Sequence, residues 1–237
     1  MENDLHLSHH ISRRFNEELE EARNQVMKMG GLVEAQFEQG LKALLNYDVE
    51  LAQQVIDNDA IVNSLEIEID ENCTKIMARR QPAASDLRLM ITVIKTITDL
   101  ERIGDEAIKL GRNAIEIYQS NNMPRAFSEL RNLGDKVKTM LSKSLDAYAR
   151  MDVEEALRII ESDKLIDEEF DNVSRLLITR MMEDPREIKN SLRISQCARA
   201  MERIGDHSAN ICEFVVYLVQ GKDVRHENDK QPANDFF

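Results

Sequence analysis

Helix breakers are scarce in this 237-residue chain, which has eight glycines and four prolines, where average usage would put about 28 such residues. A sandwich, barrel or doubly wound sheet of this length needs more turn chemistry than that. The deficit predicts an all-α protein. Tryptophan is absent and aromatic residues make up 5% of the chain, which leaves little to build base-stacking platforms. Positive charge is also short, since 31 Lys and Arg stand against 44 Asp and Glu for a formal net charge of −13. Neutralisation of phosphates by Lys and Arg dominates nucleic-acid affinity, so no nucleic-acid partner is expected. The longest apolar run, Phe214 to Val219, is far below the ~20 residues that cross a bilayer, and the N-terminal stretch has no apolar core of a secretory leader. The three cysteines, Cys73, Cys197 and Cys212, show no CxxC spacing, as reduced thiols do rather than a disulfide framework or zinc ribbon. The expectation is a soluble, cytoplasmic helical protein with no direct membrane insertion.

What the chain does contain is a repeat. Asp48-Val49-Glu50-Leu51-Ala52 matches Asp152-Val153-Glu154-Glu155-Ala156 at a shift of 104, which also pairs Gly30 with Gly134, Val33 with Val137, Leu41 with Leu145, Ala43 with Ala147 and Asp59 with Asp163. Further on the shift becomes 101, and Glu101-Arg102-Ile103-Gly104-Asp105 is identical to Glu202-Arg203-Ile204-Gly205-Asp206. The pattern is a tandem duplication of two antiparallel three-helix bundles, six long helices in all. The helices are expected near 13–46, 49–80 and 84–120, then 124–149, 152–182 and 186–220. Residues 1–12 read as a flexible N-terminus, 13–120 as the first bundle, 124–220 as the second, and 221–237 as a disordered tail. Pro82, Pro185 and the 121–124 segment mark breaks. Asp48 and Asp152 stand at N-cap positions, and Gly221 stands at a C-cap.

On the third helix Leu87, Ile94, Ile108 and Ile115 recur at heptad spacing, and the member between Ile94 and Ile108 is Glu101. An acid therefore stands where the helix otherwise carries core aliphatics, with Asp105 one turn on at the rim. Gly104 and Gly111 thin the same seam and allow a neighbouring backbone to approach. The second copy repeats this with Glu202 and Asp206, continued by Glu213. Chance alone gives roughly eight acidic pairs four apart in so acidic a chain, so the weight lies on the repetition and the seam position. A carboxylate in an apolar seam costs several kcal/mol unless it is paired or holds a cation. One reading is a structural ion-pair network with Arg102, Arg203 or neighbouring lysines; the other is chelation of a metal.

The second helices offer further, weaker ligands, Asp59 and Asn63 aligned with Asp163 and Asp167. An oxygen-only set of this kind suits Mg²⁺, Mn²⁺ or iron rather than zinc. His207 stands about 140° around the helix from Glu202, and the Glu-x-x-His pattern of diiron oxidases is absent. The cluster His6, His9 and His10 reads as solvated, and the methionines read as core filling. Asp86 reads as an N-cap and first-turn charge. The sequence carries no phosphate loop, nucleophile elbow or positioned His–carboxylate pair, so neither a catalytic residue nor an organic cofactor is expected. A carboxylate-bridged metallohydrolase and a metal-storage bundle remain alternatives on the residues alone.

The duplicated ERIGD segments, together with Pro82-Ala83-Ala84-Ser85-Asp86-Leu87-Arg88, resemble the PhoU family of phosphate-specific transport accessory proteins. The resemblance covers essentially the whole ordered length, and Glu101/Asp105 and Glu202/Asp206 match that family's E(D)xxxD motifs. It implies a non-enzymatic negative regulator of the phosphate-starvation response. Such a protein would couple the ATPase subunit of a phosphate importer to a PhoR-type histidine kinase, act as a homodimer, and bind iron, zinc, magnesium or manganese at the motifs. One departure concerns the flanks: where the second copy has Asn210 and Glu213, the first has Lys109 and Arg112. Two cations beside an acidic site predict unequal metal occupancy between the copies.

Overall fold

A computed structural model describes residues 13–82, 84–120 and 127–224. The expectations for 1–12, with His6, His9 and His10, for the break at 121–124 and for the tail from 225 lie outside the described residues. The described chain is all-α: α1 Arg13–Asn46, α2 Val49–Asp57, α3 Asp59–Arg80, α4 Ala84–Gln119, α5 Phe127–Arg150, α6 Val153–Ser162, α7 Lys164–Glu183 and α8 Ile188–Gln220. A single 3-10 turn at Pro185–Glu187 leads into α8. In each repeat one long helix, a broken second helix and a second long helix pack as a three-helix bundle, α1 with α2, α3 and α4, and α5 with α6, α7 and α8.

The break divides each expected second helix in two, at Asn58 and at Asp163. Ile61 N–H donates to the Asn58 carbonyl at 3.1 Å and Ile166 N–H to the Asp163 carbonyl at 2.8 Å. These three-residue bonds tighten the ladder locally, which is how a helix bends without proline. The turn before each second helix is likewise duplicated. Tyr47 (φ 59°) and Met151 (φ 54°) adopt left-handed backbone, and the following Asp48 and Asp152 N–H groups reach back to the Ala43 and Ala147 carbonyls, each at 3.0 Å. That geometry closes one helix. The same aspartates then cap the next, accepting from Leu51 N–H at 2.9 Å and Glu155 N–H at 3.0 Å. Gly221, at φ 68°, ends α8 as expected. Asp86 is not an N-cap: it is the third residue of α4, in the first turn, and buried.

The two repeats share one continuous apolar core and meet along α4 with α8 and α1 with α5. Contacts between α4 and α8 run in opposite directions: Lys95 stacks on Phe214 and Tyr217, Asp99 meets His207, Glu106 meets Arg203, and Glu116 meets Arg193. The helices are therefore antiparallel about an internal two-fold. Gly30 faces Leu145 and Gly134 faces Leu41, where an added Cβ would come within 2.7 and 2.6 Å of the leucine methyls. The two contacts are one contact made twice, as an isologous interface requires, and they account for the matched glycines and leucines of the repeat. Polar groups seal the α4–α8 seam. His207 Nδ1 lies 2.7 Å from Asp99 Oδ1, to which Asn210 Nδ2 donates at 3.3 Å, and Glu106 Oε1 accepts from Arg203 at 2.7 Å and Lys109 at 2.8 Å.

Gly111 packs where a Cβ would stand 3.0 Å from the Ala52 carbonyl oxygen, so a backbone does approach α4 there. At Gly104 the neighbours are the Gln36 and Val62 side chains instead. Gly31 is exposed, with no atom within 4 Å of an added Cβ. Thermal melts should therefore separate the two positions. Gly31→Ala should raise stability by about 0.5–1 kcal/mol through helix propensity, and Gly111→Leu should lower it by about 3 kcal/mol through overpacking against α2.

Candidate metal centre

The motif acids sit where a third helix of each repeat crosses the broken second helix. Glu101 and Glu202 are half-buried, and Asp105 and Asp206, one turn on, reach the surface. The bend in the second helix brings Asp59 or Asp163 opposite, with Asn63 or Asp167 one turn further along. All eight residues singled out from the sequence thus gather at two equivalent seams. Gly205 keeps the second seam thin, with a Cβ position 3.1 Å from Ile166 and 3.4 Å from Asp163 Oδ1.

In the second repeat Asp167, Glu202 and Asp206 each present an oxygen, and these oxygens lie within 4.8 Å of one another. Asp163 Oδ1 and Glu202 Oε2 are buried with no hydrogen-bond partner. Burial, then the charges of Asp206, Asp167, Glu202 and Glu213, push the Asp163 carboxyl up to about 7. Burial and Asp206 raise Glu202; burial and Asp167 raise Asp206. Oxygens bound to one cation at ~2.1 Å stand ~3–4.2 Å apart, so the trio would draw together around a hard cation. Orphaned buried oxygens, mutual repulsion and an all-oxygen donor set fit Mg²⁺, Mn²⁺ or iron.

The first repeat is built differently. Among the described residues its acids form no such close trio. Asn63 Nδ2 donates to Asp59 Oδ2 at 2.9 Å, leaving Asn63 Oδ1 buried without a partner. Burial is the main cause raising Asp59, Glu66 and Glu101; Asp105 adds to all three, while Arg112 opposes at Asp59 and Arg102 at Glu101. Glu66 is the acid that repeat comparison misses, because the shift of 104 aligns it with Phe170. Its signal is the helical spacing Asp59, Asn63, Glu66, Asp70, one face of α3.

The expected ion pairs from Arg102 and Arg203 go elsewhere. Arg203 crosses to Glu106, and Arg102 approaches Asp99 at 3.9 Å. Among the described residues, the cation that meets a motif acid is Arg199, whose Nη1 lies 3.0 Å from Glu202 Oε1. His207 faces the inter-repeat seam and is no part of the site. Cys73, Cys197 and Cys212 are buried free thiols pushed up by burial, Cys73 to about 12; none adds a sulfur ligand.

The raised Asp163 carboxyl has a definite consequence for metal-free protein. Its folded value of about 7 lies above the 3.8 of an ordinary aspartate, so the native state holds the proton more tightly than the unfolded chain. The stability this contributes is complete below about 3.8 and is lost as pH rises from there to about 7. In chelator, wild type should lose thermal midpoint over that window relative to Asp163→Asn. A difference that grows in the opposite direction would contradict the assignment.

Residues 26–114 and 130–215 each match the PhoU domain. The chain is 51% identical over 226 residues to a Pseudomonas putida protein named phosphate-specific transport system accessory protein PhoU homolog, covering 95% of this chain and 88% of that one. It is 50% identical over 222 residues to the Escherichia coli K12 phosphate-specific transport system accessory protein PhoU, covering 94% and 92%. The crystal structure of PhoU from Pseudomonas aeruginosa superposes with a TM-score of 0.86 at 49% identity, over 88% of this chain and all of that one. The phosphate transport system regulatory protein PhoU from Streptococcus pneumoniae superposes at 0.82 with 29% identity, over 89% and 99%. The duplicated helical bundles, their paired acidic seams and these matches along nearly the full length place this chain in the PhoU family.

Proposed function

We propose that this chain is a non-enzymatic accessory protein of a phosphate transport system. In this reading it represses the phosphate-starvation response by linking the importer's ATPase subunit to a PhoR-type histidine kinase. The observation that carries the reading is the near full-length similarity to relatives named as phosphate transport accessory proteins. No helix among the described residues is long and apolar enough to cross a membrane, so contact with membrane components would run through protein partners, from the cytoplasm and as a homodimer. Regulation would work by differential affinity, the protein holding the kinase in its phosphatase-favouring state while transport is active.

The acidic seams support a cation-binding role that serves the bundle and its docking faces. Asp163, Asp167, Glu202 and Asp206 would hold the ion in the second repeat. Asp59, Asn63, Glu101 and Asp105 would form the weaker first-repeat site, where Arg112 lies among the acids. The bound ion would neutralise carboxylates that otherwise repel one another across the seam between α7 and α8.

Two measurements test this. A deletion strain should express phosphate-starvation genes constitutively in high phosphate, and normal repression there would overturn the regulatory reading. Elemental analysis of native protein should find that Glu202→Gln/Asp206→Asn removes most tightly held divalent ion, while Glu101→Gln/Asp105→Asn removes little. Equal losses from the two variants would contradict the inequality between repeats. Metal-dependent phosphatase turnover abolished by Asp105→Ala would replace the adaptor with a hydrolase.

A further inference from the structure

The two seams differ in a systematic way at their ends. Position 98 of the first repeat is Thr and its counterpart is Arg199; position 66 is Glu and its counterpart is Phe170; position 112 is Arg and its counterpart is Glu213. In the first repeat the extra acid, Glu66, raises Glu101, and the cation, Arg112, acts on Asp59. In the second repeat the order is reversed. Arg199 stands at the Phe170 end, and Glu213 acts on Asp163 at the other. Charge therefore runs in opposite directions along two sites that share a backbone.

Arg199 is held in place from two sides. Its guanidinium carbon lies 5.5 Å over the Phe170 ring centroid, and its Nη1 lies 3.0 Å from Glu202 Oε1. Glu202 is largely buried, with 12% of its side chain exposed, whereas Arg199 is 61% exposed. The pair thus leaves Glu202 with one oxygen engaged and the other, Oε2, buried and free of hydrogen bonds. Thr98, in the matching place, turns its hydroxyl back to the Ile94 carbonyl at 3.0 Å and supplies no charge. Arg203 is already committed to Glu106 across the inter-repeat seam.

We propose that Arg199 is a built-in counter-ion of the second-repeat site: it occupies Glu202 Oε1, leaves Oε2 to a bound cation, and so limits the affinity with which that site takes up a divalent ion. The inference rests on the cation reading of Asp163, Asp167, Glu202 and Asp206 given above. An arginine is permanently charged and directional, so an incoming ion must either share Glu202 with it or displace it. Phe170 holds the guanidinium beside Glu202, against an aromatic face. Arg199 then tunes the site without being a ligand.

The test is Mn²⁺ titration of the full chain, by calorimetry and by loss of the free-ion paramagnetic resonance signal, in a Glu101→Gln/Asp105→Asn background that reports the second repeat. Adding Arg199→Gln should tighten Mn²⁺ binding about fivefold; Arg199→Lys, which keeps the charge without the fork, should gain less. Phe170→Leu, which frees Arg199 from its ring, should shift affinity in the same direction by a smaller factor. The gain should persist in about 0.5 M KCl, where fields beyond ~4–5 Å are screened, because the effect acts through a contact. Unchanged affinity in Arg199→Gln, or a gain that vanishes in high salt, would overturn the proposal. Glu202→Gln/Asp206→Asn separates the two levels. If Mn²⁺ binding survives that change, the cation reading itself fails and Arg199 with it. If binding is lost there but Arg199→Gln has no effect, only the role of Arg199 fails.

Discussion

A carboxylate carried into a helical seam must be compensated, and α4 shows two answers to that constraint on one helix. On the face toward α8, Asp99 and Glu106 are buried and paired, by His207 and Asn210 in one case and by Arg203 and Lys109 in the other. On the face toward α3, Glu101 and Asp105 meet Asp59 and Glu66, groups of the same sign. Paired acids lock the repeats together. Acids left facing acids cost stability, and in the proposed reading a seam that keeps them in both copies would take a positive charge from outside the chain.

The internal two-fold sets the packing but not the charge. Gly30–Leu145 and Gly134–Leu41 repeat one contact, as do the left-handed turns at Tyr47 and Met151 and the caps at Asp48 and Asp152. These residues bear on the shared core, where a change of one methylene is felt on both sides of the axis. The seams face outward and have diverged. Asn63 against Asp167, Glu66 against Phe170, Thr98 against Arg199 and Arg112 against Glu213 convert one ancestral geometry into two electrostatic environments. Duplication therefore supplies a scaffold on which one site can be strong and the other weak.

Much of this was legible in the residues. Helix periodicity, the shortage of breakers and the exact recurrence of ERIGD carry the all-α duplicated bundle, and the heptad displaced by Glu101 locates the seam. The bends at Asn58 and Asp163 were not legible, because neither proline nor glycine marks them and the ladder simply tightens. Glu66 escapes a comparison of the copies because its counterpart is Phe170, and such a comparison shows only what the copies share. Arg199 escapes it for the same reason, and Arg102 and Arg203, partners of the motif acids in one of the two readings of the sequence, are drawn by the antiparallel seam to Asp99 and Glu106 instead. Pairing across an interface cannot be read from spacing within one helix.

In the proposed reading the second-repeat seam, of two built on the same plan, is the one that would hold a hard cation. Anomalous diffraction from crystals equilibrated with Mn²⁺ tests it most directly. The dominant anomalous peak should lie within coordination distance of Asp167, Glu202 and Asp206, with a weaker peak or none beside Glu101 and Asp105. A dominant peak in the first repeat, or none at either seam, would contradict it.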